Sequence, residues 1–328
     1  MSEKIRWGII GPGFIARRFA NCMPYAPDAE IYAVASRSRE KADAFGAEYG
    51  ATKCYGSYEE LANDPDVDVA YIATPHNYHL PHTLLCLNAG KHVLCEKPFA
   101  VNAKEAKVMI DCARDKKLFL MDAFWTRYFP VMAKLRELLA GNAIGDVMLV
   151  QADFGGRGPV VPEKRHFNPD LAGGALLDVG SYCLQLASMV YGKKPQDIVS
   201  QYTIGSTGVD ELSVIVCKYS DYEMATLTSA IRLGTPHEAR VMGSEGYIAI
   251  PDFWHPSELT LARPGQAPET FRFPYDGEGF QYEAMEVGER IRAGLTESPI
   301  YPLDETLAIM ETLDRIRADW GLRYPMED

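Results

Sequence analysis

The chain has 328 residues, 47% of them hydrophobic and 24% charged, a composition that excludes a disordered or fibrous protein. Its net charge of −12, from 45 acidic against 33 basic side chains, leaves no basic footprint for nucleic acid. No apolar run nears the ~18 residues that cross a bilayer, so no membrane span is expected either.

The length suits roughly two domains of ~150 residues each. Seven scattered cysteines without a CxxC pair fit reduced thiols rather than a disulfide frame, and the N-terminus lacks a signal-peptide profile. A cytoplasmic protein is the expectation.

In chain order, strands are predicted at 4–10, 31–35, 67–73, 92–95 and 118–123. Helical spacing lies between them at 14–23, 39–49, 57–62, 78–89 and 102–115. Ser57 with Glu60, and Asn102 with Glu105, carry the spacing of a capped helix start. Such alternation requires crossovers, hence a parallel sheet with helices on both faces. After Phe124 the pattern changes. A helix at 131–140 and a strand at 147–154 precede the Gly-rich bend 155–158. A helix is predicted over 173–191, followed by strands at 198–204, 212–219, 223–231, 247–250, 259–262 and 270–273. Helices at 282–293 and 304–320 close the chain. Consecutive strands without helices between them imply an α+β domain with a large, mostly antiparallel open sheet. The expected domains are 1–123 and 124–328.

Gly11-Pro12-Gly13-Phe14-Ile15-Ala16 follows the first strand and opens a helix. This is GxGxxA in dinucleotide-binding context: the first Gly turns, the second admits pyrophosphate, and the small third residue packs helix on strand. The helix N-terminus, with Phe14 and Ile15, offers N–H donors to phosphate. The bland alternative is a Gly-rich turn without a ligand. The second strand ends in Ser36 and Arg37, where an NAD site usually carries an acid for the ribose 2′-hydroxyl. A hydroxyl and a guanidinium suit a 2′-phosphate, so NADP is expected over NAD, unless Arg37 and Arg39 are merely solvated charges.

Thr74, His76 and His79 lie at a strand end and are expected to line the cofactor pocket, His79 by a polar contact. Pro75 and Pro81 interrupt the run of histidines and no HExxH or Cys partner accompanies it, so no metal site is expected. At the next strand end stand Glu96 and Lys97, held by Pro98. Ligands of open parallel sheets bind beyond such ends, although a plain salt bridge is the alternative. Asp178 and Tyr182, four apart after Gly173-Gly174, share one face of a helix, and a carboxylate there hints at a polar cleft. A satisfied core tyrosine is the other reading. Trp125, Phe154 and Trp254 suit either core or the walls of a ring-binding pocket.

With the stretches "GPGFIA", "SRSREKA", "AGKHVLCEKPFAVN", "FLMDAFWTRYFP", "AGGALLDVGSYCLQ", "FWHPSEL" and "ESPIYPL", the chain resembles the Gfo/Idh/MocA oxidoreductases over nearly its whole length. It is most similar to their NADP-dependent D-xylose dehydrogenase and dimeric dihydrodiol dehydrogenase branch. The resemblance implies a Rossmann domain and a second domain whose terminal helix returns to the first. Lys97, of the EKP tripeptide, is implied as catalytic cation. Tyr182, where inositol-type members carry His, is implied as acid–base residue, with Asp178 orienting substrate hydroxyls or Lys97. Trp125, Phe154, Arg157, His166, Asp178, Tyr182 and Trp254 are the implied substrate-binding set. The cofactor set is Gly11, Gly13, Phe14, Ile15, Ser36, Arg37, Thr74, His76, His79, Glu96 and Lys97, although Glu96 also reads as a loop anchor.

The implied reaction is oxidation of C1 of an aldopyranose such as xylose or glucose. Alternatives are a trans-dihydrodiol dehydrogenase, a dicarbonyl or keto-sugar reductase, or a non-enzymatic NADP(H)-sensing regulator. Alternating apolar positions at 213–217 and 225–230 predict a sheet face left uncovered, and hence a homodimer formed by stacking two such faces. A monomer whose loops between Pro251 and Pro274 cover the sheet is the competing expectation.

Overall fold

A computed structural model describes residues 4–327. The chain forms two compact units, one of residues 1–128 with 275–307, the other of 129–274 with 308–328. In the first, β1 (Ile5–Ile10), α1 (Phe14–Cys22), β2 (Ala29–Ala35), α2 (Arg39–Tyr49), β3 (Lys53–Tyr55), α3 (Tyr58–Ala62), β4 (Val69–Ile72), α4 (His79–Asn88), β5 (His92–Glu96), α5 (Ala103–Lys116) and β6 (Leu120–Ala123) alternate strictly. The six strands are all parallel, in the order β3-β2-β1-β4-β5-β6. That is the doubly wound Rossmann order, with its switch point between β1 and β4. β4 and β6 are wholly buried and β5 nearly so, as strands covered on both faces require.

The caps predicted from sequence are present. Ser57 and Glu60 form a capping box at α3, and Asn102 accepts from Glu105 N at 2.9 Å to start α5. Only β3, three residues long and without an apolar run, was absent from the predicted elements of this part.

The second unit holds α6 (Pro130–Ala140), β7 (Val147–Gly155), α7 (Ser181–Tyr191), β8 (Asp197–Ile204), β9 (Asp210–Lys218), β10 (Met224–Ala230), β11 (Ala239–Gly243), β12 (Gly246–Ile250), β13 (Glu258–Ala262) and β14 (Glu269–Arg272). Eight strands form one sheet in the order β14-β13-β12-β11-β7-β10-β9-β8, antiparallel except for the β7–β10 pair. α7 packs on β7 and β10, and α6 on β13. Residues 251–274, which could have covered the sheet as loops, instead extend it with β13 and β14.

The last two helices, α8 (Gln281–Arg292) and α9 (Leu303–Trp320), divide differently from the sequence expectation. α8 belongs with the first unit. Of α9, only Leu303–Leu307 do so, while Ala308–Trp320 group with the second unit. There Trp320 stacks on Tyr202 at 4.8 Å and donates from Nε1 to Ser200 Oγ at 2.7 Å. These apolar and polar contacts on β8 explain why the terminal helix does not return as a whole to the Rossmann sheet. Among the described residues, no helix is long and apolar enough to cross a membrane.

Candidate functional site

In the first unit, the β1–α1 turn is shaped by its glycines. Gly11 has φ +89°, and a Cβ there would stand 2.8 Å from Thr74 Cγ2 and 3.3 Å from Ala73 O. An added Cβ at Gly13 would meet nothing within 4 Å, so the turn opens onto free space. That space is a cleft of about 550 Å³ bounded by this turn, by the β2–α2 junction and by the end of β4. Its wall includes Ser36, Arg37, Ser38, Lys41, Tyr58 and Thr74, and no lining residue is acidic. Ser38 accepts from Lys41 N and caps α2. Arg39 is paired with Asp43 Oδ1 at 2.8 Å on the helix surface, so the two neighbouring arginines have different fates. Arg37 faces the cleft. Glycine geometry and open volume together fit a dinucleotide, and two cations stand in the wall of the cleft. Lys41, inside the quoted stretch SRSREKA, and Tyr58, outside any motif, were not singled out by the sequence reading.

Behind the cleft, His82 stacks on Tyr78, meets the edge of Tyr58 and places Nδ1 3.0 Å from Thr74 Oγ1. His79 corrects the sequence expectation. Its ring is fully buried, with Nδ1 2.9 Å from Pro98 O and Nε2 2.8 Å from Thr74 O. Burial pushes its pKa down to about 4, despite two carbonyls that favour the charged ring. His79 therefore ties the end of β4 to the loop after β5 and presents neither nitrogen to a cofactor. His76, also buried, packs edge-on against it.

Glu96, 5% exposed, accepts from the buried Tyr71 hydroxyl and from Lys97 N at 3.1 Å. It anchors the strand end on which Lys97 stands, rather than reaching toward a ligand. Asp122, beside it on β6, accepts from Tyr301 at 3.2 Å. Burial, with Glu96 close by, pushes its pKa up to about 8 although Tyr301 and Lys97 oppose this. Glu283 of α8 is fully buried and raised well above the usual range, by burial and then by Glu96 and Asp122. Trp125 lies in a 3-10 turn, 2% exposed, stacked on Phe280 at 4.2 Å with Arg18 over both rings. Phe14, 78% exposed, also receives the Arg18 guanidinium.

The second unit gathers the remaining residues. The segment 176–180 is a π-helical turn leading into α7, not the first part of one regular helix as predicted. Gly180 lets the turn pack close on β10, where a Cβ would lie 3.0 Å from Ser229 Oγ. Such turns recur at functional sites because they re-aim side chains. Asp178, 6% exposed, accepts from Arg165 Nη1 at 2.6 Å and lies 3.1 Å from His166 Nε2. His166 was anticipated and Arg165 was not.

Tyr182, 5% exposed, meets Phe154 edge-on at 5.2 Å, and Phe154 stacks on Trp254 at 5.1 Å. Phe154 also packs on His237, whose Nε2 lies 2.7 Å from Gly155 O. Sequence reasoning missed His237, an isolated residue outside any pattern. Arg157 stands exposed in the Gly-rich bend, its backbone paired with Arg232. One aromatic row and one polar cluster around the buried Asp178 thus flank the α7 start, an arrangement that can hold a ring by its faces and its hydroxyls.

Comparison with known proteins agrees with this architecture. Residues 5–124 match the oxidoreductase family with NAD-binding Rossmann fold, and residues 132–249 match the GFO/IDH/MocA C-terminal domain. The chain is 41% identical to trans-1,2-dihydrobenzene-1,2-diol dehydrogenase of Mus musculus, over 98% of this chain and 99% of that one. It is 39% identical to the Homo sapiens enzyme of the same name, with the same coverage. Among solved structures, aldose-aldose oxidoreductase from Caulobacter crescentus, complexed with glycerol, has TM-score 0.88 and 25% identity, covering 98% of this chain and 99% of that one. KijD10, a 3-ketoreductase from Actinomadura kijaniata in complex with NADP and TDP-benzene, has TM-score 0.85 and 25% identity over 96% and 98%.

Proposed function

Since the chain belongs to the Gfo/Idh/MocA oxidoreductases and is a dehydrogenase with a nicotinamide-dinucleotide domain, we propose that it uses NADP to oxidise a ring carbinol, C1 of an aldopyranose first. The acid-free cleft with Arg37 and Lys41 supports the cofactor choice. The Arg165–Asp178–His166 cluster, a buried carboxylate met by two partly exposed side chains, carries the sugar reading, since such groups bind vicinal hydroxyls. A cyclic trans-dihydrodiol is the second reading, favoured by the 41% identical relative and by the Phe154–Trp254 wall.

When bound, the nicotinamide exchanges a hydride with the carbinol carbon. In this mechanism, the chain's residues hold the ring and move the hydroxyl proton. Tyr182 takes the proton in oxidation and returns it in reduction. A free phenol has a pKa near ~10, too high for efficient proton exchange at neutral pH, so a cation must favour its phenolate. The family resemblance assigns that role to Lys97 of the EKP tripeptide, whose backbone N–H is held by Glu96. Asp178 orients substrate hydroxyls. A panel of aldoses and trans-dihydrodiols, assayed with NADP and NAD by nicotinamide absorbance, tests the reading. Turnover of neither class, or turnover with NAD alone, contradicts it.

The assembly reading also follows. Val199, Val214, Val216, Met224 and Tyr247, between 37% and 63% exposed, project from one face of the second sheet. Val216 stands opposite Val199 on β8. An apolar face of this kind is covered in solution by a second copy through a two-fold contact. Light scattering is expected to give twice the 36.5 kDa chain mass; one chain mass at every concentration overturns the dimer.

A further inference from the structure

Asp178 and Tyr182 sit on a segment whose start is fixed by residues far away in sequence. Gly173 and Gly174 precede it, and each is hemmed in. A Cβ on Gly173 would stand 2.4 Å from Arg165 O and 2.9 Å from both His166 O and Asn168 O. Gly174 has φ +119°, and its Cβ would lie 2.1 Å from Asp210 Oδ1. The glycine pair thus lets two structures close on the backbone: the loop bearing Arg165 and His166, and the Asp210 carboxylate from β9.

Asp210 is 0% exposed, and its Oδ2 accepts from Leu176 N at 2.7 Å, two residues before Asp178. It caps the helical segment in trans, and its charge complements the positive end of the backbone dipoles. A buried carboxylate is a costly cap, because it must be desolvated. Burial pushes Asp210 up to about 6, although the N–H groups of Leu176, Asp210 and Ala175 hold its charged form. From the other side, the Tyr324 hydroxyl donates to Gly173 O at 2.6 Å. Tyr324 is itself held, since its N–H donates to Glu327 at 2.9 Å and the Arg317 guanidinium lies 4.9 Å from its ring centroid.

We propose that Asp210 is a positioning residue for the Asp178–Tyr182 segment, and that the chain's C-terminal Tyr324 completes the same clamp. Asp210 touches no reacting atom in this scheme. It sets the entry of the π-turn, so that Asp178 meets Arg165 and His166 while Tyr182 meets Phe154. The kinetic part rests on the dehydrogenase reading; the structural part stands without it.

The test uses the full chain with Asp210→Ala, Asp210→Asn and Tyr324→Phe, measured by amide hydrogen exchange and by steady-state kinetics. For Asp210→Ala, exchange at 175–180 rises by about 10-fold or more while the rest of the second unit keeps its protection. Its kcat falls by about 10- to 100-fold, as misplacement of reacting groups by ~1 Å produces, with KM for NADP unchanged. Asn retains an oxygen acceptor for Leu176 N and restores both readouts to near wild type. Tyr324→Phe gives a smaller, equally local rise, and decides the matter if the alanine variant does not fold. Unchanged protection at 175–180, a rise spread evenly over the second unit, or an Asn variant as damaged as Ala overturns the proposal. If wild type turns over no carbinol substrate, the dehydrogenase reading fails, while the exchange data still decide the clamp.

Discussion

The cofactor cleft and the Asp178–Tyr182 region are built on opposite principles. The cleft is a backbone site: a glycine turn, the ends of neighbouring parallel strands and a helix start, with side chains added at Arg37 and Lys41. The second region is a side-chain site assembled from residues 154, 165, 166, 178, 182, 237 and 254, with Asp210 and Tyr324 beneath it. Phosphates are bound by N–H groups and dipoles that any short strand–turn–helix supplies, whereas a ring with hydroxyls needs directed side chains from many places. Locality therefore separates the two.

If the second region carries the chemistry, substitutions at its reacting groups have the largest effect. Lys97→Met is expected to lower kcat by ~10²- to 10⁴-fold with NADP affinity nearly intact, by stopped-flow or steady-state assay. Combined with Tyr182→Phe it should be little worse than either single variant, because the two act as one unit. Fully multiplicative losses break that pairing.

An intermediate effect is expected in the cleft. Arg37→Asp removes the partner of a 2′-phosphate and supplies an acceptor for a ribose hydroxyl. Charge-assisted contacts contribute ~1.5–3 kcal/mol, so NADP affinity should fall by roughly 10- to 100-fold in a fluorescence titration, with preference moving toward NAD. Equal NADP affinities in the two proteins sink the assignment.

A further effect concerns stability, and it sharpens the contrast by finding long-range construction inside the first unit too. Glu96 of β5, Asp122 of β6 and Glu283 of α8 form a buried acid cluster near Lys97. Asp122 has its folded pKa raised from 3.8 to about 8, so the folded state binds the extra proton between those values. Stability is then full below about pH 4 and declines as pH rises toward 8, by up to ~1.4 kcal/mol per pH unit for one proton. Thermal melts of Asp122→Asn between pH 5 and 8 should show a flatter profile than wild type. Identical profiles mean that Asp122 is ionised throughout.

The same contrast decided what the sequence made legible. The parallel sheet followed from strand–helix alternation, and the position of Gly11, Gly13 and Arg37 around one cleft from one motif and one missing acid. The capping box at Ser57 and the side-chain cap at Asn102 were equally local. His79 misled, because a histidine at a strand end resembles a ligand contact, and only the fold shows both nitrogens turned onto carbonyls. The π-turn at 176–180 was read as regular helix, since the packing around it, Gly180 against Ser229, joins residues 49 positions apart. Arg165, His237 and Asp210 left no local trace, and α9 was misplaced because its partners on β8 lie more than 100 residues away.

We assign cofactor binding to the first region and proton transfer to the second. Tyr182→Phe, measured on one preparation for NADP affinity and for turnover of the best substrate in the panel, tests this assignment most directly. The expected result is an unchanged NADP dissociation constant with kcat reduced by ~10²-fold or more. A nearly active Tyr182→Phe enzyme, or one whose only defect is weakened NADP binding, would contradict it.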